Sequence, residues 1–405
     1  MKIFVLNSGS SSVKYKLYRM TDESIMASGV VERVGTNEAL LHHRVDNGSP
    51  KTLEIEAPDH TAAVRRILDV LVDPDPTMGV ISEIGEIAGV GHRVVHGGER
   101  YNESVLVDTD VLAAIAENIP LSPLHNPPNL AGIRACMAAM GQAPQVAVFD
   151  TAFFAAMPKR AWMYAVPMEW YTTHRVRKYG FHGTSHRYVT ARTAELMGRP
   201  VEQLNLITCH LGNGCSMTAV QGGRAVEHSM GMTPLDGLVM GTRSGEIDPA
   251  VIFYMVNNAG MSLDEVARAL NKSSGLLGVS GVSNDMRDCE AAAGEGNDRA
   301  ALAIELFAYR VLRYIGSYWA VLGRLDAIVF TGGIGENNVA MRGEICNQLA
   351  DLGVKLDPAA NEAGRGREGA VSVADSPVSV WVVPTDEELM IARDTVGIVS
   401  GAAGS

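Results

Sequence analysis

A chain of 405 residues with 46% apolar and 20% charged side chains is too long for one ordinary core, and its composition is that of a folded soluble protein, neither disordered nor membrane-embedded. A formal charge of −12 with no block of Lys and Arg argues against a nucleic-acid partner, so an anionic substrate must be met by local positive charge. No apolar run approaches the ~18 residues of a membrane span, and the amino terminus enters a strand without a signal-peptide pattern, which predicts a cytoplasmic protein with no membrane partner.

In chain order, residues 2–6 (KIFVL) read as a strand, 7–12 (NSGSSS) as a small-residue turn and 13–18 (VKYKLY) as the return strand, followed by a third β-rich run at 29–34. Residues 61–72 carry Val64, Ile67, Leu68 and Leu71 at the spacing of one helical face, and Asp73-Pro74-Asp75-Pro76 ends that helix. A strand at 89–95 (GVGHRVV) runs into His96-Gly97-Gly98 and places Arg93 beside a Gly-rich loop. The proline-rich loop 120–128 (PLSPLHNPP) starts a helix that reaches Met140. Residues 145–149 (QVAVF) form a buried-type strand ending at Asp150, and open α/β sheets place ligands just past the carboxyl ends of their strands. A domain boundary is expected there.

Phe181-His182-Gly183-Thr184-Ser185 leads into a helix that Ser185 is expected to cap and that ends near Gly198. Residues 205–220 (NLITCHLGNGCSMTAV) then repeat the amino-terminal pattern, with His210-Leu211-Gly212-Asn213-Gly214-Cys215 as the turn and a third β-rich run at 224–230. Asn213-Gly214 predicts a tight turn with positive φ, and the two glycines open its backbone amides to a phosphate. The repetition reads as an internal duplication.

A long loop at 230–248 holds Arg243 among glycines. Helices are predicted at 249–257, 262–270 (a capping box of Ser262 with Glu265), 298–322 and 338–350. A strand at 326–330 enters Thr331-Gly332-Gly333-Ile334-Gly335-Glu336-Asn337. Residues 364–369 fit G-x-G-x-x-G, but no strand precedes them and the match is set aside as accidental. After the last strand, 378–383, Thr385 and Glu388 suggest a capping box that leaves Glu387 available, and the 401–405 tail is expected to be loose.

The five cysteines, Cys136, Cys209, Cys215, Cys289 and Cys346, include no C-x-x-C pair and read as reduced, packed thiols. G-x-x-x-x-G-K-[ST] and H-R-D are both absent. What remains is a set of ionisable residues beside Gly-rich loops: Arg93, Asp150, His182, His210, Arg243 and Glu387. Singly, each has a bland reading as a surface ion pair or a turn cap. His182 with His186, and His92 with His96, have the spacing of helical zinc ligands, yet Gly183 and Thr184 interrupt the first pair and neither fits H-E-x-x-H.

Two phosphate-type hairpins half a chain apart, then a strand ending in Gly-Gly, resemble the nucleotide site of the acetate and sugar kinase, Hsp70 and actin superfamily. As a set, residues 7–14 (NSGSSSVK), 91–98 (GHRVVHGG), 181–186 (FHGTSH), 210–214 (HLGNG), 240–243 (MGTR) and 333–337 (GIGEN) resemble acetate kinases across essentially the whole chain. The resemblance implies an α/β fold of two duplicated ribonuclease-H-like (actin-like ATPase) domains, 1–150 plus 385–400 and 151–384, with an active site in the cleft between them. It implies reversible transfer of the ATP γ-phosphoryl group to acetate, giving acetyl phosphate and ADP, with Mg²⁺ or Mn²⁺ as cofactor and a homodimer as the assembly.

By the same resemblance Arg93 and Arg243 bind the acetate carboxylate and the phosphoryl oxygens, and His182 donates to an equatorial oxygen in the transition state. Asp150 and Glu387 organise the metal with Asn7, and Asn7 and His210 meet phosphate from their two turns. Lys14, Gly212, Asn213, Gly214, Asp285, Arg287, Gly333, Ile334 and Asn337 fall at nucleotide positions, and Val95, Leu124, Phe181 and Pro234 form the slot for the substrate methyl. The sequence departs from the usual pattern in having Glu227-His228-Ser229 in place of Asp-Thr-Ser and Gly332 where Ala is common. Two alternatives stay open: a propionate or other short-chain carboxylate kinase, and a nucleotide-switch binding module of the actin or Hsp70 kind.

Overall fold

The computed structural model describes residues 1–402, so the looseness expected of the tail beyond Ala402 lies outside the described residues. Internal contacts divide the chain into two units, Met1–Ala155 with the chain from Asp386 onward, and Ala156–Thr385.

The first unit opens with an antiparallel meander of five strands, β1 (Lys2–Ser8), β2 (Ser12–Arg19), β3 (Ser24–Glu32), β4 (Thr36–Val45) and β5 (Lys51–Ala57). It continues through α1 (His60–Leu71), β6 (Ile87–Val94), β7 (Val105–Leu106), α2 (Thr109–Glu117), α3 (Asn126–Ala139) and β8 (Gln145–Phe149). The sheet order is β5-β4-β3-β2-β1-β6-β8-β7, with β1, β6 and β8 parallel. Asp59 caps α1 by accepting from the Ala62 amide, and the helix buries the predicted stripe Val64, Ile67, Leu68 and Leu71. That stripe meets Phe4, Leu6, Leu17, Val90 and Cys136 in one core cluster. Sequence reading passes over β4 and β5 because they are outer strands, and β5 alternates Lys, Glu and Thr with apolar residues as an edge strand must to resist further pairing.

The second unit runs α4 (Lys159–Trp162), α5 (Met168–His174), α6 (Gly183–Met197), β9 (Asn205–Leu211), β10 (Cys215–Gln221), β11 (Arg224–His228), α7 (Ala250–Ala259), α8 (Leu263–Lys272), α9 (Gly275–Ser280), α10 (Met286–Gly294) and α11 (Asp298–Leu322). It ends with β12 (Ala327–Thr331), α12 (Gly332–Asn337), α13 (Val339–Asn347), α14 (Pro358–Ala363), β13 (Gly369–Ala370) and β14 (Ser379–Val382). Its sheet order is β11-β10-β9-β12-β14-β13, with β9, β12 and β14 parallel. Both units therefore contain one five-strand core, an antiparallel three-strand meander followed by two parallel strands: β3-β2-β1-β6-β8 in one and β11-β10-β9-β12-β14 in the other. Asn7 and His210 occupy the same place in the repeat, one residue before the end of the first strand.

Two caps differ from expectation. Residue His182, in a left-handed conformation (φ 60°), holds the position before α6, while Ser185 Oγ lies 2.8 Å from His210 Nδ1 instead of capping. The last helix, α15 (Glu387–Ala402), is started by Asp386, which accepts from the Leu389 amide at 3.0 Å, and Glu388 pairs with Lys16 at 3.2 Å. A shorter acid one residue nearer the helix reaches the orphan amide that the Thr385 and Glu388 pattern seemed to claim.

Helix α15 returns to the first unit and lies on β6 and β1. A Cβ built on Gly91 would meet Thr395 Oγ1 at 2.5 Å and Ile391 Cγ2 at 2.6 Å, so glycine is what lets the helix close onto the strand that carries Arg93. Gly91→Val is expected to cost about 1–3 kcal/mol through overpacking, read as a lower urea midpoint with an unchanged denaturant slope.

Candidate active site

In the first unit the predicted residues gather at the carboxyl ends of the parallel strands. Asn7 lies opposite Lys14 in the β1–β2 ladder, Arg93 is the penultimate residue of β6, and Asp150 follows β8 directly. The Arg93 guanidinium donates from Nε (3.1 Å) and Nη2 (2.7 Å) to one oxygen of the fully buried Asp150, and Glu387 Oε2 lies 3.7 Å from its Nε. Burial alone would pull the Arg93 pKa down, but Asp150 and Glu387 push it further up and keep the group charged. The Glu387 carboxyl is raised from 4.5 to about 7, first by burial and then by the charges of Asp150 and Glu388, against the opposing pull of Arg93 and Lys14.

Two asparagines that sequence reasoning missed hold this rim. Asn129 Oδ1 accepts from the Val95 amide while its Nδ2 donates to the Ser8 carbonyl, which ties the loop after β6 to the first turn. Asn126 accepts from the His96 amide and donates to the carbonyls of His96 and Ile115. The signal was present in residues 125–129 (HNPPN), where two asparagines frame the prolines of the first turn of α3.

In the second unit the site grows from the turn between β9 and β10. None of residues 212–214 has a positive φ, so the conformational argument for Asn213-Gly214 is wrong. Gly214 is needed for space: a Cβ there would sit 2.9 Å from Arg243 Nη2 and 3.5 Å from His182 Nε2. The turn thus brings a guanidinium and an imidazole to one bare stretch of backbone. Arg243 donates from Nη1 to the Pro234 carbonyl at 2.6 Å, and burial lowers its pKa against a small opposing influence of Cys215. The His182 ring stacks on His210 with centroids 4.4 Å apart, and His182 Nδ1 lies 2.9 Å from Ser216 Oγ.

Adjoining this turn in the same unit is a cavity of about 640 Å³ lined by Asn213, Asn284, Asp285, Met286, Arg287, Glu290, Gly333, Ile334, Asn337, Asn338, Val339, Ala340 and Arg365. Its size and its mixed lining of small, apolar and amide side chains suit a nucleoside. A Cβ on Gly212 would lie 3.8 Å from the Gly333 amide, so the turn and the Gly-Gly loop are neighbours. The buried Arg342 braces the floor by donating to the carbonyls of Gly335, Glu336 and Asn361.

A profile of the acetokinase family matches residues 2–393. The chain belongs to the acetokinase family. It is 53% identical over 399 residues to an acetate kinase of Halothermothrix orenii, covering 98% of this chain and all of that one. Among solved structures it is similar to Porphyromonas gingivalis acetate kinase (47% identity, TM-score 0.95, 98% and 99% of the two chains covered). It is also similar to a propionate kinase of Francisella tularensis (42% identity, TM-score 0.90, the same coverage). A full-length acetokinase match sets aside the nucleotide-switch alternative.

Within this acetokinase chain the predicted residues fall into three groups. Asn7, Lys14, Arg93, Val95, Asp150 and Glu387 belong to the strand-end rim of the first unit. His182, His210, Gly212, Gly214 and Arg243 surround the second turn, with Phe181 buried beside His182 and Pro234 bonded to Arg243. Asn213, Asp285, Arg287, Gly333, Ile334 and Asn337 line the cavity. Leu124 is 64% exposed, whereas Val95 and Phe181 are buried. Of the cavity residues that sequence reasoning missed, Arg365 comes from the G-x-G-x-x-G look-alike; the others flank recognised motifs without a pattern of their own.

The first unit also offers oxygen donors of the kind a small hard cation takes: the carboxylates of Asp150 and Glu387 and the amide of Asn7. Among the described residues no group of three or more His, Cys, Asp and Glu is placed to hold a metal by itself. The set fits Mg²⁺, which keeps several waters and takes few protein ligands, and a carboxyl as reluctant to ionise as Glu387 gains from an adjacent cation.

Because the Glu387 pKa is raised, the metal-free native state binds an extra proton between pH 4.5 and about 7, and stability falls as pH rises through that window. Glu387→Gln removes this penalty. Its Tm relative to the parent, measured without metal, is expected to be more favourable at pH 8 than at pH 5.

Proposed function

We propose that this chain is a cytoplasmic ATP:acetate phosphotransferase that reversibly moves the γ-phosphoryl group of ATP to acetate, giving acetyl phosphate and ADP. The observation that carries this reading is the convergence of Arg243 Nη2 and His182 Nε2 on the bare backbone at Gly214, next to the cavity that holds Gly333 and Ile334. In the forward direction an acetate oxygen forms a bond to the γ-phosphorus as the bond to the β,γ-bridging oxygen breaks, and that electron pair leaves with ADP. A carboxylate with a pKa of roughly 4 to 5 is ionised at neutral pH, so no general base is needed and catalysis reduces to positioning and charge stabilisation.

Arg243 and His182 donate to the equatorial oxygens of the transferring group, and the planar guanidinium meets two oxygens at once. Arg93, oriented by Asp150, binds the acetate carboxylate. His210 and Asn7, each near the end of its first strand, meet the phosphates. The cavity takes the nucleoside through Asn213, Asp285, Arg287, Gly333, Ile334 and Asn337. Asp150, Glu387 and Asn7 would hold Mg²⁺ or Mn²⁺, which when bound neutralises phosphate charge. The buried Val95 and Phe181, with Pro234 and Leu124, form the apolar slot for the methyl group.

Incubation with ATP, Mg²⁺, acetate and hydroxylamine should yield hydroxamate well above an acetate-free control. Arg243→Leu should lower kcat about 100- to 1000-fold with the fold intact by circular dichroism. Near-parental turnover would remove Arg243 from the site.

The likeness to a propionate kinase keeps a longer acid in view. One extra methylene changes binding by only about 1–3 kcal/mol, so propionate should be accepted more weakly. A higher kcat/KM for propionate than for acetate would reverse the assignment.

The enzyme is a homodimer in this proposal. Phe253 and Tyr254 of α7 are each 64% exposed, and Leu302, Leu306 and Tyr309 make an exposed apolar stripe along α11. A second copy is the partner whose burial of such side chains would account for them. Light scattering should give twice the chain mass, and Phe253→Glu should shift it toward the monomer.

A further inference from the structure

We propose that Thr208, His186 and Ser216 form a hydrogen-bonded relay that fixes the ring proton of His182 on Nε2, which makes the three of them positioning residues for phosphoryl transfer. The inference rests on the reading of His182 as a donor to the transferring group.

The relay is continuous. Thr208 Oγ1 lies 2.7 Å from His186 Nδ1, His186 Nε2 lies 2.7 Å from Ser216 Oγ, and Ser216 Oγ lies 2.9 Å from His182 Nδ1. Thr208, His186 and Ser216 are all fully buried, so water does not substitute for any of these partners. Burial, reinforced by the neighbouring His210, holds the His186 pKa well below its ordinary value, and the ring is neutral with a single N–H. A neutral imidazole donates from one nitrogen and accepts at the other, and each hydroxyl has one proton to give. When Ser216 donates to one ring and accepts from the other, the chain runs in one of two directions; accepting from both rings, which its second lone pair allows, would leave the His182 proton on Nδ1.

With Thr208 donating to His186 Nδ1, His186 Nε2–H donates to Ser216 and the Ser216 hydroxyl donates to His182 Nδ1. His182 then carries its proton on Nε2. The opposite order would turn the Nε2 lone pair toward Gly214 and the Arg243 guanidinium, where it would repel phosphoryl oxygens. The first order makes His182 a hydrogen-bond donor without requiring it to be charged, so the donor survives at a pH where an imidazolium would be lost.

The adjacent ring shows the same device with a backbone start. The Phe181 amide donates to His228 Nε2 at 3.1 Å, which leaves the His228 proton on Nδ1, 2.9 Å from Thr218 Oγ1. Through that bond His228, which stands where relatives were expected to carry Thr, also anchors the backbone immediately before the left-handed His182.

The test pairs kinetics with nitrogen-15 NMR of the full-length protein labelled at histidine, the His182 signals being assigned by their loss in His182→Ala. The parent is expected to show His182 protonated on Nε2. Ser216→Ala and Thr208→Val are expected to lower kcat about tenfold or more while the KM values for ATP and acetate stay within about twofold, as loss of an outer-shell orienting partner does elsewhere. Thr208→Ser, which keeps the hydroxyl, should recover most of the rate.

Parental kcat in His182→Ala would overturn the functional reading and the relay with it. A large loss in His182→Ala beside parental kcat in both Ser216→Ala and Thr208→Val would overturn the relay alone. A parent spectrum with the His182 proton on Nδ1 would do the same whatever the rates.

Discussion

A protein with a net charge of −12 can hold a polyphosphate only where a few cations and bare backbone amides are fixed at short range, since its long-range field repels the ligand. The rest of the molecule follows from that constraint. Arg93 is held by two hydrogen bonds to Asp150, and Arg243 is pinned through the Pro234 carbonyl, so neither guanidinium wanders. Preorganised charge of this kind stabilises a transition state without paying for reorientation during the reaction. Glu387 shows the reverse side of the design: burial, with Asp150 and Glu388 beside it, leaves a carboxyl that resists ionisation despite the neighbouring Arg93.

The sheet makes such anchoring repeatable. Each unit places an antiparallel hairpin beside parallel strands, and the hairpin's first strand and the parallel strands deliver their carboxyl ends to one edge. In the first unit that edge receives Asn7, Arg93 and Asp150; in the second it receives His210 and the Gly332-Gly333 loop. Duplication of one scaffold thus yields two edges, which side-chain changes have specialised. One became carboxylate-rich with an arginine, and the other became histidine-rich with a nucleoside-sized cavity.

Supporting contacts are carried by amides, hydroxyls and imidazoles more than by ion pairs. Asn126 and Asn129 splint the Arg93 loop, Arg342 splints the Gly-rich helix, and buried Thr and Ser hydroxyls tie the histidines to β9 and β10. Buried groups of this kind fix orientation at little cost where each is hydrogen-bonded inside the protein, as these are.

Much of this was legible in the chain itself. Strands at 2–6 and 145–149, the α11 span 298–322, the capping box at Ser262, the hairpin duplication and the family to which the chain belongs all follow from local patterns: apolar period, turn chemistry and motif order. Outer strands β4 and β5, the Asp386 start of α15 and the real reason for Gly214 did not follow. Each depends on what a residue meets from far along the chain. Gly214 reads as a turn glycine, yet its φ is ordinary and what excludes a side chain there is Arg243, brought back by a loop some thirty residues later. Local pattern determines which elements form and in what order, because period and propensity act over a few residues. Which polar side chains share a proton, and which glycine is needed for space, is decided by packing between distant segments.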